Sequence, residues 1–369
     1  MKTKLFHVCP NFYPIKGGIE SFVLESSKEL AKIGYDVTVV TGNKTQTGKK
    51  LAPKETVDGI KIRRFPFKKF SRYNTSVAAL KFLLSSDFDI LHVHGIGFFT
   101  DSIPVIKIAT GQPIVLSTHG GIFHTKSFRI FKKFYFNTFT RLSMTFVDKI
   151  LASSKQDSEF MKKIADRKKI TTIGNGIYWG RFGNTKNRGN GRTLVYLGRL
   201  SRTKRIDRAL KVLARVKEKI PDVKLLIIGE DWGEKRNLMG AAGKLGLNKN
   251  VKFVGYASEK QLLNYLSKSD VFLLPSEYEG FGISVIVAMA SGLPVVASRI
   301  QTMQELIVNG RNGFLVDYDN TEKAAQAIGR LLSNKKMRVK VGSNARKFAK
   351  KYDWSNMVKI LDKTYKQLL

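Results

Sequence analysis

In the stretch PSEYEGFGISVIVAMASGLPVVAS, Pro275 to Ser298, two carboxylates, Glu277 and Glu279, crowd against a Gly-Phe-Gly turn, and the helix-like run behind them holds no acid. Gly280 and Gly282 let a ligand approach the main chain, and Glu279 is set to accept hydrogen bonds from hydroxyl groups. A cationic group stands elsewhere: GRLSRTKRID puts Arg199 and Lys204 just ahead of a helix. Two cations beside helix N–H groups make a clamp for a diphosphate, although in so basic a chain such a pair also serves as solvated surface. GGIE, Gly17 to Glu20, opens the first long helix, and Gly17 and Gly18 would let backbone approach an anion. Alone that is a weak signal, because glycines before helices are common. His119 in STHGG ends a strand-like run, and His92 and His94 in DILHVHG alternate with Val93, so they share one strand face. An isolated histidine is usually a satisfied structural one, whereas several at strand ends point to a cleft. Basic loops for phosphates beside a carboxylate for a polyol have the profile of a nucleotide-sugar site.

The elements that must hold these groups alternate along the chain. KLFHVC, YDVTVVTG, DILHVHG, PIVLSTHG, KILASS and KITTIG read as strands, and GGIESFVLESSKELAKIG as an amphipathic helix ended by Gly34. A second series follows: TLVYLGRL, VKLLIIGE, VKFVGY, VFLLPS, PVVAS and GFLVD, separated by helical patterns. Near-continuous apolar strands between helices predict α/β architecture with parallel sheets covered on both faces, and two series predict two Rossmann-like domains. The polar run RFGNTKNRGNGR, Arg181 to Arg192, reads as a linker or exposed loop between the domains. The expected domains are therefore residues 1–180 and 192–352, with a terminal amphipathic helix over 353–369 anchored by Trp354. In such sheets ligands bind on the loops at the carboxyl ends of strands, where several of the stretches named above fall.

With 369 residues the chain is long for one core, and 43% hydrophobic and 11% aromatic content exclude a disordered protein. Cys9 is the lone cysteine, which fits a reducing compartment, and it reads as a buried structural thiol, since His7 is its one nearby base. No signal peptide and no apolar run near the ~18–20 residues of a spanning helix are read, so the expected location is cytoplasmic. A net charge of +36, from 65 Lys plus Arg against 29 Asp plus Glu, calls for an anionic partner. Nucleic acid is not expected, because no recognisable binding module is present.

The motifs GGIE, STHGG, NGI (Asn175 to Ile177), GRLSRTK, EGFGISVIVAMASGLPVVAS and NGRNGFLV resemble, jointly and in order over nearly the whole chain, those of the family 4 retaining glycosyltransferases of the GT-B fold. The resemblance implies two Rossmann-like domains facing an interdomain cleft, with the terminal helix crossing back onto the N-terminal, acceptor-side domain. It implies that Gly17 and Gly18 approach the donor phosphate or acceptor, and that Arg199 and Lys204 neutralise the diphosphate. Glu279 would hold sugar hydroxyls, while Gly280, Phe281, Gly282, Ile283 and Ser284 form the donor-binding turn and bring main-chain amides toward sugar or phosphate. His119 would be the polar residue of the first domain at the reacting centre.

Three positions depart from the family pattern. The family has a second glutamate eight positions after the first, holding the ribose hydroxyls; here it is Val287. Losing such an acceptor costs about 1.5–3 kcal/mol. Either Ser284 or a main-chain amide takes over the ribose, or nucleotide binding is weakened or lost. Arg205 stands where the family often has glycine, either adding charge near the phosphates or pointing outward, and Tyr178 stands where an aspartate is common.

The resemblance also implies transfer of a hexose or N-acetylhexosamine from a UDP-sugar or GDP-mannose with retention. The leaving diphosphate would take the acceptor's proton on the same face, Arg199, Lys204 and helix amides would stabilise its charge, and domain closure would exclude water. No Asp-x-Asp stands in a ligating context at a strand end, so no metal and no cofactor are expected. Residues 59–86 and 102–147 contain no acid. In the second, Phe128, Phe131, Tyr135, Phe139, Leu142 and Phe146 recur at roughly helical spacing among Arg129, Lys132, Lys133 and Arg141. Such a pattern suits either an anionic bilayer or the domain's own sheet with a solvated basic face. The first alternative predicts a peripheral protein on the cytoplasmic membrane face, with a lipid-linked or glycan acceptor.

Overall fold

The computed structural model describes residues 2–15, 17–45, 47–70, 73–120, 133–186 and 188–369. They form two compact units, Met1–Gly176 with Trp354–Leu369, and Ile177–Asp353.

The first unit is built on β1 (Lys4–Val8), β2 (Asp36–Gly42), β3 (Lys54–Val57) and β4 (Ile60–Phe65). A small hairpin of β5 (Lys68–Phe70) and β6 (Tyr73–Thr75) stands apart from the main sheet. The main sheet continues through β7 (Ile90–His94), β8 (Ile114–Ser117), β9 (Lys149–Ala152) and β10 (Ile170–Thr172). Its order is β10-β9-β8-β7-β1-β2-β4-β3, parallel except for β3 against β4. The chain leaves β1 toward β2 and later returns to the other side of β1 as β7. The β1/β7 junction is thus a switch point, where loops diverge and leave a crevice at the strands' carboxyl ends. Helix α1 (Gly18–Lys32) runs from the β1 loop and buries Phe22, Val23 and Leu30.

The β3–β4 hairpin accounts for the start of the acid-free run of residues 59–86. Asp58 and Gly59 turn it with positive φ, 51° and 80°, the backbone a two-residue hairpin turn requires. Ile60, Ile62 and Arg64 then alternate inward, buried. Arg64 is no surface cation: its guanidinium pairs with Glu55 at 2.6 Å and donates to the carbonyls of Ala52 and Tyr13.

The second unit holds β11 (Thr193–Leu197), β12 (Lys224–Ile228), β13 (Val251–Gly255), β14 (Val271–Leu274), β15 (Val295–Ser298) and β16 (Gly313–Val316) in the order β13-β12-β11-β14-β15-β16. All its neighbours are parallel, and all are the strands expected from the apolar runs. Its switch point is β11/β14. Helix α2 (Ile206–Lys219) follows the β11 loop and α3 (Ile283–Ala290) the β14 loop.

Residues 181–192 are no linker. They lie inside the second unit, where the main-chain N–H groups of Gly191, Arg192 and Thr193 all donate to the buried Asp270 carboxylate. The polar, glycine-rich composition reflects this carboxylate-capped entry into β11. The terminal helix α4 (Trp354–Lys366) belongs to the first unit and packs on α1. Trp354 is buried 5.6 Å from the Phe22 ring. Gly176 of NGI is needed beneath it, because a Cβ there would sit 2.4 Å from the indole. Tyr35 donates to Asp362 and secures the outer part of the same helix.

Candidate functional site

At the second unit's switch point the β11 and β14 loops meet. Lys204 Nζ donates to Glu279 Oε1 at 2.7 Å, and Ser276 Oγ donates to the same oxygen at 2.7 Å. Thr302 Oγ1 holds the Glu279 carbonyl at 2.8 Å, so backbone and carboxylate are both fixed. Glu277 has a different task. Its main-chain N–H donates to the Thr203 carbonyl at 3.0 Å, and its carboxylate pairs with Arg205 and, at 3.5 Å, Arg208. Of the two crowded carboxylates, Glu277 ties the loops together and Glu279 remains at the carboxyl end of β14 beside the cationic loop. Arg205 adds no free charge to a phosphate site, because Asp207 grips its fork at 3.0 Å and Glu277 takes the other side.

Arg199 is exposed, with its guanidinium 4.4 Å above the Trp232 ring. Stacking of this kind holds the planar fork in one orientation while leaving its edge donors available. The buried Tyr196 hydroxyl donates to the Arg199 carbonyl at 3.1 Å and anchors the main chain beneath.

Gly282 caps α3 with φ at 98°, where a Cβ would also lie 2.7 Å from Met303 Cε. This position requires glycine on both counts. The turn it makes brings Ile283 and Ser284, both half-buried, into the first turn of α3, whose leading N–H groups have no partner within the helix. Gly280 is half-buried beside Glu279. The Phe281 side chain, expected in the donor turn, points inward instead and meets Tyr352 edge-on at 5.2 Å. Only its main chain is left for a ligand. Val287 is 7% exposed in an apolar cluster with Val285, Ile286 and Leu266, so this position is core.

In the first unit Gly17 caps α1 with extended backbone and Gly18 opens it; a Cβ on Gly18 would meet nothing within 4 Å, so packing does not demand glycine there. His119, at the end of β8, has φ at 53°, an uncommon conformation for a residue other than glycine. Phe22 of α1 packs edge-on against its ring at 5.2 Å. Its Nε2 is 2.9 Å from His94 Nδ1, and His94 Nε2 is 2.8 Å from His7 Nδ1. His92 meets the Tyr365 hydroxyl at 2.7 Å through Nδ1 and Ser117 Oγ at 2.8 Å through Nε2. Burial drives all four imidazoles below the ordinary range, His7 to about 3 and His119 to about 4, so they are neutral at neutral pH. Ring nitrogens of His7, His92 and His94 lie within 4.8 Å of one another, a spacing that admits a metal ion. Five of their six nitrogens already bond to one another, to His119, to Tyr365 or to Ser117. Cys9 is buried and free, and burial raises its thiol, which makes it a packing residue.

The sequence reading missed Trp232, Ser276, Thr302 and Tyr365, and took His7 only as a base near Cys9. Only His7 left a trace: it shares the strand-face parity that marked His92 and His94, and pairs with His92 across β1 and β7.

The profile described as Glycosyl transferases group 1 matches residues 181–348, and that described as Glycosyltransferase Family 4 matches residues 16–178. Over 362 residues the chain is 30% identical to the GDP-mannose:cellobiosyl-diphosphopolyprenol alpha-mannosyltransferase of Xanthomonas oryzae pv. oryzae (strain PXO99A), spanning 96% of this chain and 94% of that protein. The chain belongs to the family 4 glycosyltransferases. This glycosyltransferase is also 27% identical to the phosphatidyl-myo-inositol mannosyltransferase of Mycolicibacterium smegmatis, over 94% of this chain and 89% of that one. Its fold matches sucrose-phosphate synthase from Thermosynechococcus elongatus with a TM-score of 0.82 at 20% identity, covering 100% and 99% of the two chains. Anabaena HepE in complex with UDP and glucose matches with a TM-score of 0.76 at 18% identity, over 99% and 100%. These neighbours carry the GT-B fold expected from the motifs.

The aromatic stripe of the first unit divides. Phe136 is buried 4.2 Å from Phe160, Phe146 is half-buried, and Tyr135 donates its hydroxyl to Asp101. Phe134, Phe139 and Leu142 are exposed at 59%, 59% and 57%, with Lys133 and Arg141 exposed among them. The adjoining helix Ile103–Thr110 exposes Val105 and Ile108. Phe128, Arg129, Phe131 and Lys132 lie outside the described residues. No helix among the described residues is long and apolar enough to cross a membrane.

Proposed function

We propose that this glycosyltransferase moves a hexose, with GDP-mannose the first donor to test and UDP-sugars the second, onto a lipid-linked or glycan acceptor with retention at the anomeric carbon. The observation that carries the reading is the meeting of the Arg199–Lys204 loop with Glu279 at the β11/β14 switch point. The relatives named above use GDP-mannose or act as mannosyltransferases, and their names carry a diphosphopolyprenol or phosphatidyl-inositol acceptor.

In this reading Arg199, Lys204 and the first-turn amides of α3 stabilise the charge that grows on the leaving diphosphate. That supply of positive charge replaces a metal ion, so transfer is metal-independent. Glu279 accepts from sugar hydroxyls, and Lys204, neutralised by Glu279 in the free protein, turns its remaining donors to the phosphates. The acceptor's proton passes to the leaving phosphate oxygen on the same face. The first unit serves the acceptor, and its exposed Phe134, Phe139 and Leu142 among cations lie on an anionic bilayer.

Radiolabelled mannose supplied as GDP-mannose, with lipid extract and EDTA, should appear in the lipid phase, and NMR of the product should show the donor's anomeric configuration. Inverted product or a demand for divalent metal refutes the mechanism; absence of binding to any GDP- or UDP-sugar refutes the function. The protein should also sediment with phosphatidylglycerol vesicles at low salt and be released at high salt. A second reading, a relative with weakened nucleotide binding, is favoured by the apolar burial of Val287 where a ribose-binding acid is expected.

A further inference from the structure

His119 leads a row of three imidazoles, and the row decides which of its nitrogens carries a proton. His7 on β1, His94 on β7 and His119 after β8 are linked ring to ring by the two bonds of 2.8 and 2.9 Å. A neutral imidazole has one N–H and one lone pair, so in a row of three neutral rings every bond must run the same way. Two arrangements satisfy this. In one, His7 Nδ1–H donates to His94 and His94 Nδ1–H donates to His119 Nε2, which leaves the third proton on His119 Nδ1. In the other, all bonds reverse and the spare proton sits on His7 Nε2.

The far end chooses between them. His7 Nε2 is buried and has no hydrogen-bond partner. A buried N–H without an acceptor is the rarer and costlier orphan, so His7 Nε2 is the bare nitrogen and the first arrangement holds. His119 is half-buried, and among the described residues no protein partner holds its Nδ1. The groups facing the row are His92, itself bonded to Tyr365 and Ser117, and Phe22 from α1.

We infer that His94 and His7 are positioning residues that hold His119, the residue which the family resemblance already places at the reacting centre, in its neutral Nδ1–H tautomer, so that it meets a hydroxyl or phosphate oxygen of the substrate as a fixed donor. His119 is then neither general acid nor general base: its Nε2 is already filled by His94, and among the described residues no base meets its Nδ1 proton. This deepens the glycosyl-transfer reading and rests on it for the identity of the substrate, but the tautomer does not.

The full chain has five histidines, so long-range 1H–15N correlation spectra of 15N-histidine-labelled protein can be assigned by single substitutions. At pH 7.5 His119 should appear as the Nδ1–H tautomer and remain so down to about pH 5.5. In His94→Phe, which removes the donor to Nε2, it should lose that preference and populate both tautomers. A wild-type His119 in the Nε2–H form, or one unchanged in His94→Phe, overturns the assignment. If His94→Phe does not fold, the wild-type spectrum alone decides. The role toward substrate is read separately, in mannose transfer from GDP-mannose. Asparagine places an N–H near the Nδ1 position and glutamine near the Nε2 position, so His119→Asn should keep activity about tenfold above His119→Gln and His119→Ala. Equal loss in all three overturns the donor role. A chain that transfers no sugar at all would sink the glycosyl-transfer reading and leave the tautomer result standing.

Discussion

Lys204 and Glu279, 75 residues apart in the chain, share a 2.7 Å ion pair in which the carboxylate is nearly buried and the ammonium largely so. The pair neutralises both groups until a ligand offers better partners: phosphate oxygens for the one and hydroxyls for the other. Glu279→Gln should therefore reduce kcat/KM by about 100-fold, the loss of a charge-assisted hydrogen bond in the transition state. Lys204→Met should also lower stability by about 2 kcal/mol, because it leaves the Glu279 carboxylate without its cation. The double variant should recover most of that stability and none of the activity. Thermal melts alongside steady-state transfer assays test this, and a double variant no more stable than Lys204→Met would show that the pair is not coupled.

Trp232 is half-exposed, and its ring lies against the Arg199 guanidinium at 4.4 Å. Trp232→Ala should leave the melting temperature nearly unchanged while weakening GDP or UDP binding by about three- to tenfold, the worth of a partly exposed cation–π contact that orients the fork. Calorimetric titration of the nucleotide diphosphate reads it. Trp232→Phe should restore part of the loss.

Val287 lies on the buried face of α3 among apolar side chains. Restoring the family's acid by Val287→Glu should cost about 2–4 kcal/mol, since the carboxylate enters a cluster built for a smaller apolar residue. The variant is expected to melt earlier. If GDP binding nevertheless appears only in Val287→Glu, the natural protein has lost its grip on the ribose; binding by the natural protein means that the ribose is held elsewhere, with Ser284 the residue to substitute next.

Strand-like apolar runs and the loops behind them were legible because each is a local pattern: six runs in the second half became β11 to β16 without exception. Placement of Arg199, Lys204 and Glu279 on facing loops followed from the Rossmann rule that loops at strand carboxyl ends carry the ligand. What escaped has a common physical cause. KETVDGIKIRRF reads as charge to the eye, yet its alternation and Asp-Gly turn make β3 and β4, and the one cation it buries, Arg64, is paid for by an acid nine residues upstream. Trp232, Ser276 and Thr302 matter through neighbours that topology alone brings within reach. Arg181 to Arg192 looked like a linker because its carboxylate partner, Asp270, lies far along the chain.

Acidification should unfold the first unit early, and the histidine row sets where. His7, His92, His94 and His119 are held neutral by burial, with His7 at about 3 and His119 at about 4, whereas the unfolded chain binds a proton on each near 6.5. Between those values the unfolded state carries more protons than the folded one, so stability falls as pH falls. The stability is present in full above about pH 6.5 and is lost progressively toward pH 4, at up to about 1.4 kcal/mol per pH unit for each histidine. Carboxylates add to the loss only toward the lower end of this window, so comparing melts at pH 7.5, 6.5 and 5.5 isolates the imidazoles. His7→Phe removes one of the four and should flatten the slope in proportion. A melting temperature constant between pH 7.5 and 5.5 would mean that the row takes up protons while folded, and the neutral chain of bonds from His7 to His119 would have to be abandoned.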